Sequence, residues 1–173
     1  MQAATVLPDE LSERQRRREK SGCPDLWQLL DQVRDPEIPV ISIWDLGILK
    51  DVRREDDTVV VVITPTYSGC PAMKEIEKEI HNTLARHTDY NVRVVTELSP
   101  AWSTEHMTEE GKRALREYGI APPKSIHDPD RRVACPHCGS ESTHLVSQFG
   151  STACKALYQC DDCREPFDHF KCI

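Results

Sequence analysis

The stretch Thr58-Val59-Val60-Val61-Val62-Ile63-Thr64-Pro65-Thr66-Tyr67-Ser68-Gly69-Cys70-Pro71 sets the architecture of most of the chain. Its β-branched run from Thr58 to Thr64 predicts a strand, because branched side chains suit a pleated, packed surface. Pro65 to Pro71 then reads as a tight loop, and Pro71 is placed to open a helix. That helix turns Ile76, Ile80 and Leu84 inward and Lys74, Glu75, Lys78 and Glu79 outward. Upstream, Gly47 to Arg54 reads as a second strand, joined to the first by the polar turn Glu55-Asp56-Asp57. Downstream, Asn91 to Leu98 alternates as a third, with Val92, Val94 and Thr96 on one face. An earlier helix begins near Pro24, carries Leu26, Leu29, Leu30 and Val33 at helical spacing, and must stop before Asp35-Pro36-Glu37. The order αββαβ describes an α+β fold with helices on one face of a small sheet.

Beyond the sheet, Thr108-Glu109-Glu110 starts a short helix with acids in its first turn, and Gly119 ends it. Ala121-Pro122-Pro123 and Asp128-Pro129-Asp130 read as a stiff linker between domains. Six of the eight cysteines follow in the last 39 residues. Four form the hooks Cys135-Pro136-His137-Cys138 and Cys160-Asp161-Asp162-Cys163, separated by 21 residues. A two-residue gap lets both sulfurs of a hook reach one ion, and two hooks supply the four ligands of a structural zinc tetrahedron. Gly139 follows the first hook as a tight knuckle requires. Arg164 stands where the second would place glycine, which predicts a less regular turn. Phe167 and Phe170 are expected to pack over the knuckles. The chain thus divides into a flexible charged arm over 1–22, an α+β domain over 23–120, a proline-rich linker over 121–132 and a zinc-ribbon-like domain over 133–173.

Bulk properties narrow the function. A chain of 173 residues suits one ordinary domain with a small appendage. No apolar run is long enough to span a membrane, and no apolar segment follows the basic run Arg14 to Lys20 to make a secretory leader. Eight cysteines in such a chain point to thiols and metal ligands in a reducing, cytoplasmic setting. A net charge of −7, and equal numbers of basic and acidic residues from Arg131 to Ile173, remove the positive field that nucleic-acid binding requires. Arg16-Arg17-Arg18 is read as part of a solvated tail.

Four groups of residues outside the hooks could carry chemistry. Cys70 precedes a helix N-terminus, where unpaired amides favour a thiolate able to act as a nucleophile or a soft metal ligand. The bland alternative is a small residue filling a corner. Asp35 and Glu37 sit in a proline-bracketed loop and offer hard oxygen ligands, or alternatively a turn capped by Asp35. Thr64 and Thr66 place hydroxyls near Cys70. The surplus cysteines Cys154 and Cys172 are accessory ligand candidates. Each could fill a core, or the pair could join a hook in a second four-sulfur set able to hold an iron–sulfur cluster. His137, His144 and His169 are not needed as ligands. A thiol enzyme built on Cys70 lacks a nearby base, since His81 and His87 lie further along the helix. No G-x-G-x-x-G and no P-loop is present.

Asp35-Pro36-Glu37-Ile38-Pro39, Trp44-Asp45-Leu46-Gly47-Ile48 and Thr64 to Pro71 together resemble the small iron–sulfur assembly domain family. The tail, Gly150 to Tyr158 and Pro166 to Cys172, resembles the D-subunit family of bacterial phenylacetyl-CoA epoxidases. The resemblance covers about residues 24–173. It implies a maturation role in a multicomponent monooxygenase of aerobic phenylacetate degradation, without catalytic turnover of its own. The implied partners are a di-iron catalytic subunit and an iron–sulfur reductase, and a homo-oligomer stays open. By the family pattern, Cys70 is the thiol for transient iron or cluster binding, and Asp35, Glu37 and Thr66 occupy matching positions around it. Cys135, Cys138, Cys160 and Cys163 would hold structural zinc. A docking component without metal delivery is the alternative.

Overall fold

The computed structural model describes residues 10–125 and 128–171. Helix α1 spans Glu10–Lys20 and α2 spans Pro24–Leu30. Strands β1 (Leu49–Glu55) and β2 (Thr58–Ile63) form a hairpin whose turn residue Asp56 takes a left-handed φ of 52°. Helix α3 (Ala72–His87) then crosses over to β3 (Asn91–Thr96), which lies parallel to β2. The sheet order β1-β2-β3 puts the valine run at the centre, where every residue from Val59 to Ile63 is buried. Val59, Val61 and Ile63 meet Leu26, Trp27 and Leu30 of α2 and Ile76, Ile80 and Leu84 of α3 in one core. The expected α+β architecture is therefore present, although α2 is shorter than its apolar spacing suggests and Val33 is buried from an irregular segment.

A second sheet has the order β4-β7-β6-β5. Helix α4 (Glu109–Glu117) leads directly into β4 (Ile120–Ala121), which runs parallel to β7 (Pro166–Phe170). Strands β5 (Thr143–Ser147) and β6 (Lys155–Cys160) complete the sheet with antiparallel pairings. The ribbon sheet thus begins before the proline-rich linker and is closed by a strand from the end of the first domain. Ile120, Cys154 and Phe170 belong to the same core as α2, β2 and α3. The ring of Phe170 lies 5.8 Å from that of Trp102. The linker therefore joins two bodies that pack on each other, rather than holding them apart.

The arm also differs from its expected form. Residues 10–20 form α1, anchored by two arginines one turn apart. Arg14 is fully buried and donates to Leu49 O at 2.9 Å, His106 O at 2.6 Å and Trp44 O at 2.7 Å. Its guanidinium lies 4.3 Å above the Trp44 ring. Arg18 forks onto Asp31 at 2.8 and 2.5 Å. The charge run looks solvated in one dimension because its partners, backbone carbonyls for Arg14 and the Asp31 carboxylate for Arg18, lie elsewhere in the chain. Residues 1–9 of the expected arm lie outside the described residues.

The Trp44 and Leu49 carbonyls lie within and at the end of a largely irregular segment that further side-chain hydrogen bonds hold in place. Asp45 accepts from the Ser42 hydroxyl (2.7 Å) and the Thr108 hydroxyl (2.7 Å), and Trp102 Nε1 donates to Leu46 O at 3.0 Å. Gly47 sits at φ 87°, and a Cβ there would stand 2.6 Å from His106 Cβ, so no other residue fits. Burial, then Arg14 and Lys50, hold the His106 imidazole down at about 4.

Arg14→Met leaves three buried carbonyls unsatisfied and should cost about 3 kcal/mol in urea unfolding, with Arg14→Lys restoring only part of it. The folded value of His106 lies below its ordinary 6.5. Its contribution to stability is therefore intact above about 6.5 and is lost as pH falls through about 4. Thermal melts across that window should show a falling Tm, and His106→Gln should flatten the slope.

Candidate functional site

The ribbon hooks converge. The sulfurs of Cys135, Cys138, Cys160 and Cys163 all lie within 4.8 Å of one another. Cys135 Sγ is 3.7 Å from Cys163 Sγ, and Cys138 Sγ is 3.6 Å from Cys160 Sγ. Four thiolates about 2.3 Å from one tetrahedral ion stand about 3.8 Å apart, so the spacing fits a structural zinc. The knuckle amides are aimed at the sulfurs. Those of Cys163 and then Asp162 pull the Cys160 thiol down to about 7.

The second knuckle is as regular as the first. Arg164 takes a left-handed φ of 67°, close to the 78° of Gly139. Its N–H donates to Cys160 O at 3.1 Å, as that of Gly139 does to Cys135 O at 2.9 Å. The turn closes with arginine because the ligand geometry imposes the backbone, at some steric cost. Phe167 packs with Cys135 and Cys160 as expected. Phe170 points to the other domain instead, since successive strand residues alternate in facing and odd steps along β7 reverse the side. His144 is held by Asp161 at 2.8 Å and His169 by Ala121 O at 3.2 Å. Neither joins the sulfur cluster, nor does His137.

Cys70 lies far from the hooks in sequence, in the loop between β2 and α3. The Ala72 amide and the Thr66 hydroxyl both point at its sulfur and favour the thiolate. They do not prevail. Burial pushes the Cys70 thiol up, and the carboxylates of Glu37 and Asp35 add to the rise. The sequence predicts a ready thiolate at this helix terminus, and burial, with the neighbouring acids adding to it, runs against that expectation. Asp35 is 6% exposed. Its Oδ1 accepts from the Glu37 and Ile38 amides, each at 2.8 Å, so it does cap its turn. Burial nonetheless raises its carboxyl, with those amides and Lys155 opposing. Thr66 is buried beside Cys70, whereas the hydroxyl of Thr64 has no hydrogen-bond partner among the described residues.

Thr66, Glu37 and Asp35 therefore lie near enough to act on Cys70, although among the described residues only the four hook cysteines bring three or more ligand atoms within 4.8 Å of one another. The structure also adds two groups. Tyr67 shares a hydrogen bond with Cys70, and its hydroxyl is pushed up by burial and by the charges around it. Lys155, from β6, is almost fully buried and acts on Asp35. Tyr67 was within reach of sequence reasoning as a neighbour of Thr66. Lys155 carried no local signal, because its proximity exists only after the ribbon docks. Cys154 is buried in the main core and takes no part in the hook cluster. Cys172 lies outside the described residues.

A relative from Escherichia coli (strain K12), named provisionally as the D-subunit of 1,2-phenylacetyl-CoA epoxidase, is 50% identical over 98% of both chains. The chain belongs to the D-subunit family of phenylacetyl-CoA epoxidases. Residues 120–171 match the PaaD zinc beta ribbon domain, and residues 24–102 match the iron-sulfur cluster assembly protein model. The first match begins at Ile120, where β4 enters the ribbon sheet. A Porphyromonas gingivalis (strain ATCC BAA-308 / W83) protein named as an Fe-S protein maturation auxiliary factor is 32% identical over 56% of this chain and 90% of its own. A solved DUF59 domain of Bacillus anthracis superposes with a TM-score of 0.50 at 29% identity, covering 53% of this chain and 89% of that one. These two relatives are matched over nearly their whole length by about half of this chain, so they are too short to share the two-domain layout of the D-subunit family.

The shared core couples the hooks to Trp102. Stripping metal from the full chain with a chelator should unravel β5 to β7, release Phe170 and shift tryptophan emission to the red, with re-addition of zinc reversing it. An unchanged emission spectrum would show that the ribbon holds its place without metal.

Proposed function

We propose that this protein is an accessory maturation factor that helps to assemble or insert iron, or an iron–sulfur cluster, in a multicomponent phenylacetyl-CoA epoxidase. The observation that carries the reading is the gathering of Cys70 with Asp35, Glu37 and Thr66 at a half-buried loop. The cargo iron is a substrate here, held in transit. A resident structural metal would call for a preformed site fully liganded by protein, as at the hooks. Cys70 instead offers a thiol that stays protonated until a cation approaches, because burial and the neighbouring acids oppose its charge. Cation binding displaces that proton, and departure of the cation to a client restores it. Proton affinity raised in this way favours release over retention.

In this reading Cys135, Cys138, Cys160 and Cys163 bind structural zinc, and the ribbon presents the client-docking surface. The hairpin between β5 and β6 supports the second role. Leu145, Val146 and Phe149 are exposed there, Phe149 at 67%. In this reading these exposed apolar side chains would be covered by the client. The epoxidase components, a di-iron catalytic subunit and an iron–sulfur reductase, are the proposed clients.

Co-expression of the epoxidase components with Cys70→Ser should yield client protein depleted in iron or acid-labile sulfide by about tenfold, with this protein still folded and zinc-loaded. A fully metallated, fully active client would sink the maturation role and leave a docking component, which predicts stoichiometric co-purification regardless of Cys70.

A further inference from the structure

The ribbon sheet has two faces with different surroundings. One packs into the main core through Phe170, and the other carries Ala121, Tyr158 and Phe167 in the smaller cluster around the hooks. Strand register pairs Ala156 with His169 and Tyr158 with Phe167 on that second face. It forms the floor of a cleft of about 890 Å³, a size typical of small-molecule sites. The walls are α4 and the linker that follows β4. The linker leaves the sheet at Ala121, whose carbonyl accepts from His169 Nδ1 at 3.2 Å. It returns at Val133, whose carbonyl accepts from the Thr143 hydroxyl at 2.6 Å. Between these anchors, Lys124 pairs with Asp130 at 3.5 Å. Ala121, Val133 and Ala156 line the cleft and are buried. The Tyr158 ring stacks on that of Phe167 at 6.0 Å and meets that of His169 at 5.4 Å, so the floor is apolar and aromatic.

The rim is basic in an acidic chain. Seven of the lining side chains are basic and three are acidic, whereas the whole chain carries a net charge of −7. The acids are already engaged. Glu109 holds Lys112 at 2.9 Å, Asp130 holds Arg132 at 2.8 Å, and Asp128 accepts from the Asp130 amide at 2.8 Å. Arg113 and Arg116, three residues apart on α4, and Arg131 after the linker have no hydrogen bond or ion pair among the described residues. Like charges around one cleft repel, and a bound anion relieves that repulsion. Guanidinium forks match phosphate oxygens in particular. We infer that this cleft binds an organic phosphate with a flat aromatic group, of the nucleoside diphosphate class. The aromatic group lies on Tyr158, and the phosphates meet Arg113, Arg116 and Arg131. An acidic peptide would neutralise the arginines but leave the aromatic floor unused. The cleft does not involve Cys70, so it stands apart from the proposed cargo thiol. A ligand there bridges α4 and the ribbon sheet, and so stabilises the docked arrangement of the two domains.

The test is titration calorimetry on the zinc-loaded full chain with ADP as the probe. ADP should bind saturably at one site per chain, weaken as salt rises and raise the Tm. Adenosine and pyrophosphate, each lacking half of the probe, should bind about tenfold more weakly or worse. Arg113→Gln combined with Arg116→Gln should weaken ADP binding on the order of 10- to 100-fold. Both side chains are exposed and unpaired among the described residues, so the fold does not depend on them. Arg16→Gln combined with Lys20→Gln removes the same charge from α1, outside the cleft, and should leave binding unchanged. Absence of ADP binding, pyrophosphate binding as tight as that of ADP, or an equal loss with the α1 pair would overturn the inference. Tighter binding of an acidic hexapeptide than of ADP would also overturn it and mark the cleft as a protein contact.

Discussion

The contact between Trp102 and Phe170 is the hinge of this molecule's organisation. It joins the last irregular segment of the first domain to the last strand of the ribbon. A ribbon with only a handful of buried apolar side chains around its sulfurs cannot support much structure by itself. Sharing a core solves that shortage. Phe170, Ile120 and Cys154 bury themselves among residues the first domain would otherwise expose, and the parallel pairing of β4 with β7 ties the backbone across the same boundary. The four thiolates then hold the far end of the ribbon. Each end of a small domain is thus fixed by a different physical device, one hydrophobic and one ionic.

The first domain is ordered by an unusual amount of side-chain-to-backbone bonding. The segment from Ser42 to Leu49 has little regular structure, yet most of it is buried. Its carbonyls need donors, since unsatisfied buried acceptors are costly. Arg14 serves two of them together with His106 O, and Trp102 serves a third. The cost of burying a guanidinium is met by three short, charge-assisted bonds and the face of Trp44. This framework supports the loop carrying Asp35 and Glu37, whose Asp35 N–H is itself tied to Ile41 O at 3.0 Å.

The electrostatics of the Cys70 loop show a contest of effects of similar kind. An amide at the start of α3 and a threonine hydroxyl stabilise negative sulfur, while burial and two carboxylates oppose it. The opposing set wins because desolvation acts on the whole charge, whereas the α3 terminus acts through one oriented group. If this thiol takes a cation as proposed, its raised proton affinity favours one that also neutralises the neighbouring carboxylates.

Much of this was legible along the chain. The β-branched run from Thr58 had one reasonable partner arrangement, and the hook spacing determined a four-sulfur site whatever the surroundings. Such features are local: propensity, periodicity and short ligand spacing act over a few residues. The grouping of Cys70 with Asp35, Glu37 and Thr66 was legible through family resemblance, not through any local rule. Three features were decided only in three dimensions. Arg14 reads as tail until the carbonyls of Trp44, Leu49 and His106 surround it. Phe170 reads as a knuckle residue until β7 turns it toward Trp102. Cys154 reads as either a core residue or a spare ligand for the hooks until the docked ribbon buries it in the core that α2, β2 and α3 share. In each case the partner lies 30 or more residues away and depends on packing between elements, which no pattern within a short window encodes.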